Sequence, residues 1–471
     1  MPQPYDIIIV GTGPAGIFSA IELTKNNTSP LKILMLDKGP DLEKRRCPAS
    51  RGFGCVNCDP CTLLQGWGGA GAFSDGKLDL STQVGGWLTD YVTREKLADY
   101  IDYVDGIYRQ FGAPEHVYGT DPDKIDVIER KAAFAGLKLI QQKIRHMGTG
   151  QCAQVLRNMR RHLKEKVEIQ TGVEVKSLMV KNSNVEGVET RNGEKVRSKY
   201  VIVAPGRSGA EWLTTEAQTL GLKTLNNPVD VGVRVEVLAS VMEELTEALY
   251  EPKFVYFSKS FDDQVRTFCV CPRGEVITES YEGIITVNGQ SYSERKTDNT
   301  NFALLVSTKF TEPFREPIAY GKYIARLTNL LSGGIIIQRL GDLEVGRRST
   351  EERINRSLVV PTLKNATPGD LSFVLPYRYI ADIREMLQAL DNVSPGLNSK
   401  DTLLYGAEVK FYTSRLELSN CLETRIRNLF TIGDGAGLTR GLIQASVSGV
   451  IVAREIAKRE KKANQVAVER T

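Results

Sequence analysis

No apolar run in the 471 residues approaches the ~18–20 that a membrane-spanning helix needs. A basic-then-apolar leader is not expected either, because the first apolar run, Tyr5 to Val10, meets a glycine loop at once. Charge of one sign is barely in excess. The 61 Lys and Arg against 57 Asp and Glu leave +4, too mild a surplus to grip nucleic acid or an anionic membrane. Cysteine is sparse at 8 residues, and four crowd into Cys47 to Cys61, which argues against a secreted disulfide framework. With 41% hydrophobic and 25% charged residues, the chain is neither collagenous, coiled-coil nor disordered. A cytoplasmic protein of roughly two or three domains is expected. Glycine, by contrast, is abundant at 42 residues and directs attention to ligand loops.

Tyr5-Asp6-Ile7-Ile8-Ile9-Val10 is a β-branched, unalternating run of strand length, as suits a strand covered on both faces of a parallel sheet. It leads into Gly11-Thr12-Gly13-Pro14-Ala15-Gly16. Behind that turn Ile17, Ala20, Ile21 and Thr24 recur at helical spacing, until Asn26 to Pro30 stops the helix. A second strand, Lys32 to Leu36, ends at Asp37. Strand, G-x-G-x-x-G, helix, strand and acid together form a dinucleotide pattern. Gly11 allows the tight turn, Gly13 lets a pyrophosphate approach the backbone, and Gly16 lets helix and strand pack closely. The helix start at Pro14 and Ala15 offers its N–H groups and positive dipole end to the phosphates. Asp37, about 20 residues past Gly16, is placed to accept hydrogen bonds from a ribose diol.

Far along the chain, Ile426 to Ile432 reads as a strand running into Gly433-Asp434-Gly435-Ala436-Gly437. Past Arg440-Gly441 a last helix places Ile443, Val447, Val450 and Ile451 on one face. A second glycine turn opening a helix suits a ligand too long for one site. FAD, with a ribityl chain and flavin ring beyond its ADP, is such a ligand.

On these residues the chain resembles flavoproteins of the glutathione-reductase-type FAD superfamily. The resemblance implies that Asp434, in the Gly433-Asp434 pair, hydrogen-bonds the ribityl and pyrophosphate region. It implies that the helix near Gly441 points its N-terminus at the flavin N1/C2 carbonyl. It also implies that backbone at Val175, in Gly172-Val173-Glu174-Val175-Lys176, meets adenine, and that Tyr200 to Gly206 closes the FAD domain. Gly66 to Lys77 and Gly433 to Ser446 are similar to an uncharacterised bacterial and archaeal FAD-dependent dehydrogenase family, over nearly the whole chain. That resemblance implies the cofactor and leaves the substrate open.

There is one dinucleotide fingerprint and no second one mid-chain, so NAD(P)H, if used, would have to visit the substrate face of the flavin. Gly-x-Ser-x-Gly, Walker A and His-Glu-x-x-His patterns are missing too, which lowers hydrolase, NTPase and zincin readings. Cys55-Val56-Asn57-Cys58-Asp59-Pro60-Cys61, with Cys47 upstream, has spacing that suits an iron–sulfur or zinc site, a redox dithiol, or ordinary reduced thiols in a loop. Cys152, Cys269, Cys271 and Cys421 read as buried thiols. Among the 3 histidines, His146, before a glycine turn, is the best active-site candidate. Lys77, closing the Gly66–Gly76 loop, is a candidate for anchoring an anionic group or raising the flavin potential.

The fold class expected is α/β: a discontinuous Rossmann-like FAD-binding domain with an inserted, mostly antiparallel β-rich substrate domain. The FAD-binding pieces are 1–90, 150–225 and 398–460. Residues 226–397 with 91–149 form the substrate or cap region, and 461–471 a charged, frayed tail. Within the insert, Val231 to Val237 alternates as a half-buried strand. The leading function is an FAD-dependent oxidoreductase passing a hydride through flavin N5 to or from a small organic substrate, with NAD(P), a quinone or a ferredoxin-like carrier as electron partner. An electron-transfer protein using a Cys47/Cys55/Cys58/Cys61 cluster is the alternative. An FAD-dependent RNA modifier would need a basic face that +4 does not supply.

Overall fold

The structure, a computed structural model, describes residues 5–25, 31–48, 58–225, 227, 229–281, 283–292, 295–308, 316–410 and 415–468. The chain divides into two units, residues 1–115, 145–227 and 413–471, and residues 116–144 and 228–412.

In the first unit, Glu168–Thr171, Ile33–Asp37, Tyr5–Val10, Lys195–Val203 and Leu429–Thr431 lie side by side in that order, all parallel. Ile7, Ile8, Ile9, Val201, Ile202 and Val203 are fully buried, as a parallel sheet covered on both faces requires. Val175–Lys181 and Asn184–Thr190 extend it as an antiparallel ribbon on the early part of Lys195–Val203. The first helix, Pro14–Leu23, packs on the last, Leu442–Val468, and Gly449 permits the contact, since a Cβ there would lie 2.2 Å from the Ala15 carbonyl oxygen.

Several boundaries differ from expectation. Residues 91–115 and 145–149, the latter with His146, belong to the first unit, not to the cap region. Leu97, Ile101, Val104 and Ile107 of the helix Arg94–Gln110 are buried in its core, and Arg145 binds both oxygens of the buried Asp105 at 2.7 Å. Residues 398–412 go the other way, because the buried strand Leu403–Lys410 pairs inside the second unit's sheet. The charged end is no frayed tail through its described part, because the last helix runs on to Val468.

The second unit is built on an eight-stranded sheet in the order Thr367–Pro368, Ile336–Arg339, Leu403–Lys410, Val229–Leu238, Asn299–Thr308, Gln264–Cys271, Phe254–Phe257, Lys138–Leu139. Only the first of these pairings is parallel. Val229–Leu238 alternates as expected, yet both its faces are buried. Its valines pack with Met242 and Leu245, and with Met386 and Leu387 of the helix Tyr377–Asp391. Asp230, Arg234 and Glu236 face the other way and are buried as well. The hairpin strand Ile284–Gln290 comes so close to Arg234 that a Cβ at Gly289 would lie 1.9 Å from its guanidinium.

Asp382 on that helix is fully buried, and neither carboxylate oxygen has a hydrogen-bond partner. Burial, joined by the neighbouring Asp263 and opposed by Ser258 and Arg378, pushes its carboxyl up to about 6. The folded state therefore favours the protonated form. The stability this group contributes is complete below the unfolded pKa near ~3.9 and is lost as pH rises through about 6. We expect Asp382→Asn to raise the urea midpoint relative to wild type above pH 6, by an amount equivalent to about 1–3 kcal/mol. The gain should vanish near pH 4; a gain of equal size at both pH values would refute the assignment.

Candidate functional site

Four glycine-bearing segments of the first unit converge. Gly11, at φ +106°, lies so close to the turn after Lys195–Val203 that a Cβ would sit 2.0 Å from the Ala204 oxygen. A Cβ at Gly16 would sit 2.1 Å from the Gly11 oxygen, and one at Gly435 2.2 Å from the Gly206 oxygen. Gly433, at φ +78°, brings the late turn to within 3.1 Å of Ala15 Cβ measured from its own ideal Cβ. The Gly66–Gly76 loop reaches the same place, since a Cβ at Gly69 would be 3.1 Å from Gly13 Cα and one at Gly71 2.7 Å from Leu442. The two glycine turns read from the sequence, Gly11–Gly16 and Gly433–Gly441, are thus brought together.

Three other glycines are open. A Cβ at Gly13 would meet only Gly69 Cα, at 3.9 Å, and one at Gly206 or Gly441 would meet nothing. The first helix starts at Pro14, whose missing N–H costs nothing there, and no side chain caps it and no acid lies in its first turn. Its first N–H groups therefore have no side-chain acceptor, and the positive end of the helix dipole lies behind them. In the first turn of the last helix, Gln444 donates to the Val84 carbonyl at 2.6 Å while its buried Oε1 has no partner. An uncapped first-helix start, side-chain-free surface and an unpartnered buried amide oxygen fit a long phosphate-bearing ligand such as FAD.

Asp37 has other work than the one expected of it. Its Oδ2 accepts from the Thr12 N–H and hydroxyl, both at 2.8 Å, and its Oδ1 from the Gly39 and Gly66 N–H groups, both at 2.9 Å. Four protein donors occupy the roughly four lone-pair sites that a carboxylate has. Asp37 therefore ties the first glycine turn, the end of the second strand and the Gly66 loop into one piece.

Asp434 is held likewise. Thr439 Oγ1 donates to it at 2.7 Å and the Gly441 N–H at 3.3 Å. Burial pushes its carboxyl up, and Thr439, Arg207, Gly441 and Arg440 pull it partly back. Val175 is buried in the ribbon, paired with Thr190. The residue that reaches the end of the second strand is Val173, whose N–H donates to the Asp37 carbonyl at 2.9 Å.

Lys77 forms an ion pair with Asp75 at 3.2 Å, both largely buried. His146 ends the short strand that pairs with Lys77–Asp79. Cys152 lies beneath that loop, its thiol pushed up to about 12 by burial, as befits a core residue. Of the cysteine cluster, Cys55 lies outside the described residues. Cys47, Cys58 and Cys61 are half-buried, and no group of three metal-ligating side chains occurs among the described residues.

One element was missed from the sequence. Val84-Gly85-Gly86-Trp87 lies along Leu438-Thr439-Arg440, with Trp87 N–H to Leu438 O at 2.8 Å and Arg440 N–H to Gly85 O at 2.6 Å. The Arg440 guanidinium stacks over Trp87 at 4.3 Å. The Gly85-Gly86 pair was the available signal, since a side chain at either would strike Gln444 or Leu438.

If Asp37 organises the loops, Asp37→Ala will destabilise the protein even without any nucleotide. Four donors lose their acceptor, and a loss of about 2–4 kcal/mol in urea unfolding of flavin-free protein is expected. Unchanged stability with weakened nucleotide binding would instead return Asp37 to a purely ligand-facing role.

Residues 228–411 match the model of the family described as "FAD-dependent protein, C-terminal domain-like", and FAD is the cofactor this match supports. An uncharacterized protein of Clostridium beijerinckii (strain ATCC 51743 / NCIMB 8052) is 28% identical over 484 aligned residues, covering 96% of this chain and 80% of its own. Among solved structures, L-proline dehydrogenase from P. horikoshii aligns at a TM-score of 0.40 and 12% identity over 97% of this chain and 94% of its own. A quinol-fumarate reductase with menaquinol molecules aligns at 0.42 and 15%, over 98% and 72%. Both scores are too low to carry a shared function. Among the described residues no helix is long and apolar enough to cross a membrane.

Proposed function

We propose that the chain is an FAD-dependent oxidoreductase acting on a small organic substrate, with FAD held in the first unit. The observation that carries the reading is the convergence of two glycine turns, far apart in sequence, each opening a helix, with side-chain-free surface at Gly13, Gly206 and Gly441. The family match over residues 228–411 supports the same cofactor.

In this reading the N–H groups behind Gly13 and Pro14 bind the pyrophosphate, Asp434 and its Thr439 partner receive the ribityl hydroxyls, and the start of the last helix at Gly441 favours negative charge. When bound, FAD supplies the hydride chemistry at N5. The protein's share is to fix the donor carbon and keep water out. Lys77, already engaged by Asp75, serves as a placed positive charge rather than a proton carrier, and His146 is the side chain we assign to proton transfer. A re-oxidant such as NAD(P), a quinone or a ferredoxin-like carrier completes the cycle.

A pair of substitutions tests the site. Gly13→Val adds its side chain to open space, so it should fold with stability within about 1 kcal/mol of wild type yet bind FAD at least about tenfold more weakly. Gly16→Val adds one where the Gly11 oxygen already sits, so it should fail to fold. Visible spectra and urea unfolding of both read the outcome, and a Gly13→Val protein with full flavin content would overturn the assignment.

A further inference from the structure

Cys269 and Cys271 lie on the strand Gln264–Cys271 of the second unit, where a regular strand would point residues i and i+2 to the same face but keep them apart. The register with Asn299–Thr308 slips between Phe268 and Cys271, and Cys269 adopts φ +47°, a left-handed conformation that a residue with a side chain seldom takes. This bulge brings the two sulfurs to 4.0 Å. Cys271 is fully buried and Cys269 half-buried, so Cys269 is the more accessible of the two.

The sulfurs also sit among cations. The fully buried Arg234 donates through Nη2 to Cys271 Sγ at 3.2 Å and to the Cys269 carbonyl at 2.6 Å. Glu408 is shared between Arg234 Nη1, at 3.5 Å, and the buried Lys410, at 3.0 Å. Burial works against the charge on Arg234, but Glu408 and the two cysteines outweigh it and hold the guanidinium protonated. A cation donating directly to sulfur favours thiolate over thiol.

We propose that Cys269-Val270-Cys271 is a dithiol–disulfide site that exchanges electrons with low-molecular-weight disulfides. The thiolate of the outer Cys269 attacks one sulfur of the disulfide and expels the first thiolate, which takes up a proton. Cys271, its thiolate stabilised by Arg234, then attacks the Cys269 sulfur of the mixed disulfide and releases the second thiol. Two electrons and two protons pass from the cysteine pair to the small disulfide, and the Cys269–Cys271 bond forms. The site is independent of the flavin reading, because no step in it uses the first unit.

Trypsin cuts after Arg266 and Arg273, so both cysteines fall in one peptide, Thr267–Arg273, separate from those of Cys47 to Cys61. The full chain is incubated anaerobically with glutathione disulfide, unfolded in iodoacetamide, digested and weighed. The expected peptide is two hydrogens lighter than the dithiol form, unalkylated, and restored by dithiothreitol. In Cys271→Ser, Cys269 should instead keep one glutathione, and Arg234→Gln should slow formation of the link by about tenfold. A wild-type peptide that stays doubly alkylated, or that carries glutathione on Cys269 without resolving, overturns the proposal, and this reading needs no variant to fold.

Discussion

The first unit depends on backbone lying directly on backbone. At Gly11 against Ala204, Gly16 against Gly11, Gly435 against Gly206 and Gly449 against Ala15, an added Cβ would come within 2.0 to 2.2 Å of a carbonyl oxygen. No side-chain repacking relieves a clash with backbone, so these four positions fix how the turns and the two helices meet. Gly206, at φ +62°, and Gly441, at φ +96°, are glycines for their backbone conformation, although the space beside them is open. Gly13 is different in kind, because there neither a close neighbour nor a left-handed backbone demands glycine, and the protein itself leaves room for a side chain.

That division is invisible in the sequence, where every glycine of the fingerprint looks alike. What the sequence did expose was periodicity and punctuation: the strand Tyr5–Val10 and the helix and strand after it lie where the apolar spacing placed them. The late turn and the last helix were legible for the same reason, since Gly433 to Gly437 breaks two apolar patterns of different period. The helix Arg94–Gln110 was assigned to the wrong unit because its partners, the buried Arg145 above all, are remote in sequence, and spacing carries no information about which distant segment completes a core. The approach of Cys269 to Cys271 was hidden for a related reason, because a bulge with a left-handed residue leaves no compositional trace when that residue is not glycine.

The second unit shows how far patterning can mislead about exposure. Valine alternating with Asp230, Arg234 and Glu236 ordinarily marks one dry and one wet face. Here the polar face is buried too, and its charges survive burial by pairing. Glu236 accepts from Tyr405, Thr362 and Asn299, Asp230 accepts from Arg266 and Ser307, and Arg234 reaches Asn301 and Glu408. The neighbouring carboxylates shift according to their company. Burial raises Glu236 despite donors from three residues, and Asp382, where burial outweighs the opposing pull of Ser258, rises to about 6. Pairing on this scale fixes the sheet's register, because a slip of one residue would strand several charges at once, even though Asn301 Nδ2 and Glu408 Oε2 make no hydrogen bond.

Asp37 joins both themes. Its position after the second strand is the one a ribose-binding acid takes, and sequence alone has no means of telling whether its lone pairs are open. The structure fills them with two donors from Thr12 and one each from Gly39 and Gly66. A carboxylate so occupied has little acceptor capacity left for a diol, and its charge is spread into four N–H and O–H dipoles instead of standing unscreened beside a pyrophosphate. What the acid does for the fold is to hold the first glycine turn and the Gly66 loop together. The same strand end is tied further by backbone, where the Gly172 and Val173 N–H groups donate to the Gly39 and Asp37 carbonyls at 3.0 and 2.9 Å.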